Sequence, residues 1–315
     1  MKRFFIVAFF IKSHKFNSAY KFVADQLRKS VKIFCIILTT PKYKYKRVIP
    51  QLNTWVPRGC ADYMYASSKV DPSINAIKAF PKDGYFNSYG KVRGAIIKAY
   101  EKHGDKFDWY IKADDDTYLV MENLRMFLLN KNASQHQYHG FKLHIKNDPI
   151  GPNPLVYHHG GASYVMSRHT IKELVTNGFG KKCQHHPQGA DDRIIGRCLM
   201  KMKLKIPDAR DKYNRVLFMP STPINFATQI RNEKYDKYNA LNYKKFKKGK
   251  KGISEWPIAF HHMTANLMYG VDYLLYTANV MGISQRVVAV ELRDENNEEK
   301  VLKKIKQFSK NYFPN

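Results

Sequence analysis

The densest chemistry in the sequence is Lys112-Ala113-Asp114-Asp115-Asp116-Thr117-Tyr118. Three consecutive carboxylates follow an apolar run at 108–113 that reads as a buried strand. Open α/β sheets gather their ligands beyond the carboxyl ends of strands. In an extended chain Asp114 and Asp116 point to one side and Asp115 to the other. Carboxylates this close repel and take up protons unless a cation offsets them. A hard divalent ion with oxygen ligands is the natural partner, and such an ion commonly also holds phosphate oxygens. Spacing excludes two rivals. An EF-hand loop starting at Asp114 would need Gly at Leu119 and Glu at Arg125. A haloacid-dehalogenase motif fails at Tyr118 and has no matching downstream Lys and Asp pair. A solvated turn with an aspartate helix cap is the structural alternative.

Further chemistry is scattered. Asp191-Asp192 open a segment in which Ile194, Ile195, Cys198, Leu199 and Met202 share one helical face. Asp192 there reads either as a general base or as a cap and helix-dipole partner. His261 stands on a late strand, where a lone histidine is more often a structural residue than a ligand. His262, by strand alternation, faces the other way and reads as structural. Gly160-Gly161-Ala162-Ser163 marks a turn or a close backbone approach. Lys112 is a basic neighbour of the acids, available to a diphosphate or simply solvated. The four cysteines, Cys35, Cys60, Cys183 and Cys198, contain no C-x-x-C. Two locally close pairs suit two disulfides in an oxidising compartment; buried free thiols are the alternative.

The elements that must position these residues alternate in type. The run at 31–39, VKIFCIILT, reads as a strand buried on both faces, as in a parallel sheet. A helix-compatible stretch runs through Trp55, a short strand covers 62–65, and helical spacing covers 92–100 and 118–129. Ser167 can cap a helix over Ile171 and Leu174; 257–262 is a late strand and 267–280 a late helix. Residues 242–251, NYKKFKKGKK, carry six lysines and read as a mobile loop. The alternation predicts an α/β domain with a largely parallel sheet.

The chain of 315 residues has room for a sizeable core, and with 44% hydrophobic and 14% aromatic content the bulk of the chain is not a disordered tail. Lys plus Arg number 54 against 26 Asp plus Glu, a formal charge of +28 that calls for an anionic partner. Nucleic acid is not that partner: no helix-turn-helix, zinc-finger or RNP signature is present. The apolar run at 4–11 would form about 12 Å of helix, short of a bilayer core. It suits a short signal core, a shortened anchor or an N-terminal strand. Residues 1–30 form a basic segment, 31–282 the main domain and 283–315 a charged tail.

In order along the chain, several segments resemble one family. They are FCIILTTP around Cys35, Asn53-Thr54-Trp55 followed by Cys60, and DWYIKADDDTYLVMENLR from Asp108. GGASYVMS from Gly160, GADDRIIGRC from Gly189, DARD at 208–211 and AFHHMTANLMYGVDYLLY from Ala259 follow. Over roughly 31–282 the chain resembles the fringe and β-1,3-galactosyltransferase superfamily of glycosyltransferases. The resemblance implies a GT-A fold, a Rossmann-like, mostly parallel sheet flanked by helices. It implies an inverting, manganese-dependent (Mn²⁺) β-1,3-galactosyltransferase moving galactose from UDP-galactose to O-linked GalNAc on a glycoprotein. A fringe-like transferase with another donor or acceptor, or an inactive UDP-binding relative, is the alternative. It further implies a single-pass type II Golgi membrane protein with a lumenal catalytic domain, and a homodimer.

Carried over by position, Asp116 and His261 fall on metal ligands and Asp192 on the general base. Thr39, Thr40, Lys112, Asp114 and Asp115 fall on the nucleotide-sugar site, and Gly160, Gly161 and Asp191 on the donor and acceptor loops. The resemblance pairs Cys35 with Cys60 and Cys183 with Cys198. Asp191 stands where the family has Glu, Thr264 where the nearest relatives have Asp, and Thr40 where Gly is usual. The family's adjacent cysteine pair before the last strand is absent here.

Overall fold

The computed structural model describes residues 22–228, 233–242, 244–278 and 297–313. The apolar segment at 4–11 therefore lies outside the described residues, as do the first part of the C-terminal tail and the end of the helix expected to reach 280. Among the described residues no helix is long and apolar enough to cross a membrane.

A six-stranded sheet organises the fold. Its strands are β1 (Ile33–Leu38), β2 (Asp62–Ser67), β3 (Ala76–Lys78), β4 (Trp109–Asp114), β6 (Tyr138–Gly140) and β9 (Tyr164–Ser167), in the order β3-β2-β1-β4-β9-β6. The pairs β1–β2, β1–β4 and β2–β3 are parallel, whereas β9 runs antiparallel to both β4 and β6. This is the α/β architecture that the strand–helix alternation leads one to expect. Every residue of β1 is buried. Ile33, Cys35 and Ile37 enter one apolar cluster, while Phe34, Ile36 and Leu38 enter the other. A strand apolar at every position is what a sheet covered on both faces demands.

Helix Ser88–His103 buries Val92, Ala95, Ile96 and Ala99 on one face of the sheet. Helix Asp191–Lys201 buries Ile194, Ile195, Cys198 and Leu199 on the same side. Helix Met121–Leu128 closes the other face with Leu124, Phe127 and Leu128. The helical stretch expected over 118–129 is shorter than its apolar pattern, because Tyr118–Leu119 form β5 instead. Helix Glu298–Tyr312 packs Val301, Ile305 and Tyr312 into the same core, and its Ser309 Oγ donates to Met126 O at 2.6 Å.

Both disulfides follow the pairing that the resemblance implies. Cys35–Cys60 ties β1 to the chain entering β2, and Cys183–Cys198 ties a loop to helix Asp191–Lys201. The lysine-rich stretch is not a free loop. Phe246 is buried against Phe141 and stacks on Phe226, and a 3-10 turn covers Gly249–Gly252. Apolar anchoring by one aromatic within a run of charges overrides the composition that suggests mobility.

Candidate active site

The acidic triplet sits where β4 leaves the sheet. Thr117 N–H donates to Asp114 O at 3.1 Å and closes a tight turn. Two side chains from the preceding helical stretch clamp that turn. Gln51 Nε2 donates to Asp114 O at 3.0 Å and Thr117 O at 2.8 Å, and Trp55 Nε1 donates to Thr117 O at 3.1 Å. Gln51 is fully buried.

A two-residue strand pair brings the late histidines to this turn. β5 (Tyr118–Leu119) pairs antiparallel with β11 (Ala259–Phe260), Phe260 opposite Tyr118. Residues just before Tyr118 therefore meet residues just after Phe260. Met263 N–H donates to Asp116 O at 2.9 Å, which fixes the approach. His261 Nε2 lies 3.2 Å from Asp116 Oδ1 and 3.9 Å from Asp114 Oδ2.

His262 does not turn away, contrary to strand alternation. Its φ is +59°, a left-handed break that ends the strand after Phe260. Its ring stacks on His261 at 3.8 Å, with Nδ1 4.0 Å from Asp116 Oδ2. Asp116, His261 and His262 each offer a ligand atom within 4.8 Å of the others.

This donor set suits a divalent ion such as manganese: one hard carboxylate oxygen and imidazole nitrogens. Two further observations fit. A Cβ on Gly161 would lie 2.1–2.5 Å from three atoms of the His261 ring, so the glycine is the cradle in which the imidazole rests. His261 Nδ1 is buried without a hydrogen-bond partner among the described residues, so the ring is placed by packing rather than by a second hydrogen bond.

The three carboxylates are electrostatically distinct. Burial works against an ionised Asp116, but the hydrogen bond from His261 and the charge of Arg47 hold it at about 2. Burial pushes Asp115 up to about 6, against hydrogen bonds from Arg47 and Thr39. Thr39 Oγ1 donates to Asp115 Oδ2 at 2.7 Å, while Arg47 Nη1 reaches Asp115 Oδ1 at 2.8 Å and Asp116 Oδ2 at 3.3 Å. Beside them a cleft of about 240 Å³ is lined by Thr39, Thr40, Lys44, Lys69 and Asp71. Thr40 Oγ1 is buried there with no partner among the described residues.

Lys112 joins this cluster to the second acidic pair. Of the two readings of Lys112 the solvated one fails: only 2% of its side chain is exposed. A lysine on a strand buried on both faces has no route to water, so it must be paired. Its Nζ donates to Asp114 Oδ1 at 2.7 Å and Gly160 O at 3.1 Å, and lies 3.3 Å from Asp191 Oδ2. Burial opposes its charge, but Asp114 and Asp191 raise its pKa well above the ordinary lysine value.

Asp191 is buried and also accepts from Tyr164 Oη at 3.0 Å. Asp192, half-buried, accepts from Gly160 N–H at 3.0 Å and from Arg193 N–H at 2.7 Å. Burial, then the charge of Asp191, raises Asp192 to about 6. Both acids are the first residues of their helix, where its positive end favours the carboxylates. Gly160 packs against Lys112 Nζ, Asp191 and Asp192, and Gly161 packs against His261. The glycine pair is thus the floor shared by the two halves of the site.

The structure gathers Asp114, Asp115, Asp116, His261, Lys112, Asp191, Asp192, Gly160, Gly161, Thr39 and Thr40 at one edge of the sheet. Sequence reasoning did not find Arg47 or Gln51; nothing in the spacing of the polar stretch 42–54 marks them. His262 carried a usable signal, the His-His doublet itself.

The acidic turn and the imidazoles thus meet at the carboxyl edge of the central strands of an α/β sheet, where such sheets gather their ligands. The chain belongs to the Fringe-like family, whose model matches residues 28–264. A glycoprotein-N-acetylgalactosamine 3-β-galactosyltransferase 1 of Xenopus laevis is 32% identical over 267 residues, covering 84% of this chain and 71% of that one. Mouse chondroitin sulfate synthase 3 is 24% identical over 176 residues, covering 52% of this chain and 20% of that one. A Drosophila β-1,4-galactosyltransferase 7 variant, solved with manganese, UDP-Gal and xylobiose, is 14% identical with a TM-score of 0.33, covering 56% of this chain and 65% of that one.

Proposed function

We propose that this protein is an inverting, manganese-dependent β-1,3-galactosyltransferase that moves galactose from UDP-galactose to O-linked GalNAc on glycoproteins. The observation that carries the reading is the division of the site. A carboxylate–imidazole cluster suited to a divalent ion lies on one side of Gly160-Gly161, and a carboxylate raised to about 6 lies on the other. The name of the Xenopus relative supports the donor and acceptor sugars.

Asp116 and His261, with His262 in reach, would hold the ion, which when bound offsets charge on the departing diphosphate. The cleft beside Thr39 and Thr40 takes the nucleotide, and Asp114 with Lys112 faces the sugar. Asp192 accepts the proton of the acceptor 3-hydroxyl. That oxygen forms the new bond to the anomeric carbon from the face opposite UDP, and the old bond breaks with its electron pair leaving on the diphosphate. A base near 6 is ionised at neutral pH yet basic enough to draw the proton. Asp191, paired with Lys112 and hydrogen-bonded by Tyr164, positions its neighbour. We place the protein in the Golgi lumen, tethered through its N-terminal segment.

The test is transfer from UDP-galactose with Mn²⁺ to a GalNAc-serine glycopeptide, with the linkage read by NMR. A β-1,3-linked product supports the reading. UDP-galactose left intact, or galactose placed elsewhere, overturns it.

A further inference from the structure

The lysine tract is absorbed neither by the donor site nor by the proton transfer. It is nonetheless built as a platform. Arg210 Nη2 donates to Asn242 Oδ1 and to Lys244 O, and Asn242 Nδ2 donates to Lys142 O at 2.9 Å. Lys245 Nζ caps helix Glu233–Leu241 through Asn239 O at 2.8 Å and Ala240 O at 3.0 Å. Phe246 N–H donates to Asn239 Oδ1 at 3.1 Å while its ring is buried. Gly249 takes the left-handed φ of +61° that turns the chain. A Cβ on Gly252 would lie 1.8 Å from Lys247 O, so the two ends of the turn press together. Lys247, Lys250 and Lys251 are left exposed on this frame. Acids in adjoining segments are committed elsewhere: Asp208 to Arg210 at 3.1 Å, and Asp211 and Glu255 to Arg215 at 2.7 and 2.9 Å.

A chain of contacts links the platform to the Asp192 half of the site. Asp192 holds Gly160 N–H; the preceding residue, His159, packs edge-on against Tyr238 at 5.1 Å between ring centroids. Tyr238 lies on the helix that Lys245 caps. Burial and then the charge of Asp192 raise its pKa. About six residues of extended chain reach about 20 Å, so the flanks of a peptide whose sugar lies at Asp192 sweep the surface around the site well beyond the sugar itself.

We propose that residues 244–251 form a docking site for acidic residues flanking the glycosylated Ser or Thr of the acceptor. This inference rests on the glycosyltransferase reading above and adds the class of polypeptide it prefers. An extended peptide carrying Asp or Glu on one side of its glycosite sets carboxylates against Lys247, Lys250 and Lys251. Attraction between exposed charges is screened beyond a Debye length, about 10 Å at 0.1 M salt and shorter as salt rises, so the preference is salt-sensitive.

The experiment compares paired GalNAc-glycopeptides, acidic or amide-substituted at the flanks, with a GalNAc phenyl glycoside that has no peptide. The enzyme is used as wild type and as the triple variant Lys247→Gln, Lys250→Gln, Lys251→Gln. Wild type should show a KM about tenfold lower for the acidic peptide, the order of three exposed ion pairs, shrinking in 0.5 M NaCl. The variant should lose the preference while kcat and KM for the phenyl glycoside hold, which also shows that it is folded. Equal KM values for the two peptides with wild type overturn the inference. So does a preference that survives the triple variant. If the preference is absent but the variant loses binding to vesicles containing phosphatidylserine, the platform faces a membrane and the acceptor reading is wrong. Should wild type fail to turn over even the phenyl glycoside, the enzymatic reading fails by itself. Fluorescence anisotropy of the labelled acidic peptide then still decides the docking site: salt-sensitive binding lost in the variant supports it, and binding unaffected by the variant overturns it.

Discussion

Gly161→Ala isolates the place of His261. The glycine's φ is outside the left-handed region, so alanine brings no backbone strain; only space is at issue. The new Cβ would stand 2.1 Å from His261 Cε1, 2.3 Å from Nε2 and 2.5 Å from Nδ1. To regain an ordinary contact of 3.4 Å the ring must retreat by about 1.3 Å, the difference between 3.4 and 2.1. Metal–ligand bonds tolerate only about 0.2 Å, so a ring displaced this far cannot ligate together with Asp116 unless the whole turn shifts. Overpacking of this kind costs about 1–3 kcal/mol of stability. Loss of a supporting group around a metal ligand alone weakens binding about 10- to 100-fold, and displacement of the ligand itself should do at least that. The assay is calorimetric titration of Mn²⁺ in the presence of UDP, with urea unfolding in parallel. Gly270→Ala serves as control, since a Cβ there meets nothing within 4 Å. It should bind Mn²⁺ as wild type does and gain up to about 1 kcal/mol from helix propensity. Mn²⁺ affinity within twofold of wild type in Gly161→Ala would mean that the imidazole does not reach the ion from this cradle.

Other predictions follow from the same geometry. With Asp192 at about 6, kcat/KM should fall about tenfold per pH unit below that value, and a flat profile down to pH 5 would remove Asp192 from the base role. The same shift has a stability sign. Between 3.8 and about 6 the folded protein holds a proton that the unfolded chain has released, so this group's contribution declines as pH rises through that window. Asp192→Asn should remove that slope from the urea midpoint measured against pH, and an unchanged slope would contradict the shift. Lys112→Met leaves Asp191 buried without its cation, which should cost about 3–5 kcal/mol in urea unfolding; a loss under 1 kcal/mol would mean the lysine is not the hub described. Arg47→Gln removes the cation that competes for Asp115 and Asp116, and should tighten Mn²⁺ binding without nucleotide by about two- to fivefold, as read by calorimetry. Cys183→Ser with Cys198→Ser opens a 15-residue tie worth about 3 kcal/mol, seen as a lowered urea midpoint.

The sequence was most informative where one side chain's neighbours lie along its own strand. β1 was legible because burial on both faces forces an uninterrupted apolar run. The acidic turn was legible because nothing but a cation or a cap explains three carboxylates after such a strand. Lys112 carried a signal in its apolar surroundings that a reading by residue type alone discards. What joins the site was not legible. β5 and β11 have two residues each, too few to show alternation, yet their register alone sets His261 against Asp116. Arg47 and Gln51 act through backbone and carboxylate partners about 65 residues away in sequence, and local spacing holds no trace of such pairings. His262 misled because alternation presumes an extended chain, and a left-handed residue breaks it.

If a divalent cation held by Asp116 and His261 is what lets the cleft grip a nucleotide diphosphate, UDP binding must depend on that cation. Calorimetric titration of UDP into the purified protein, with Mn²⁺ and again with EDTA, measures it. The account requires binding with Mn²⁺ that vanishes in EDTA and in Asp116→Ala. UDP bound equally well with and without the metal would contradict it.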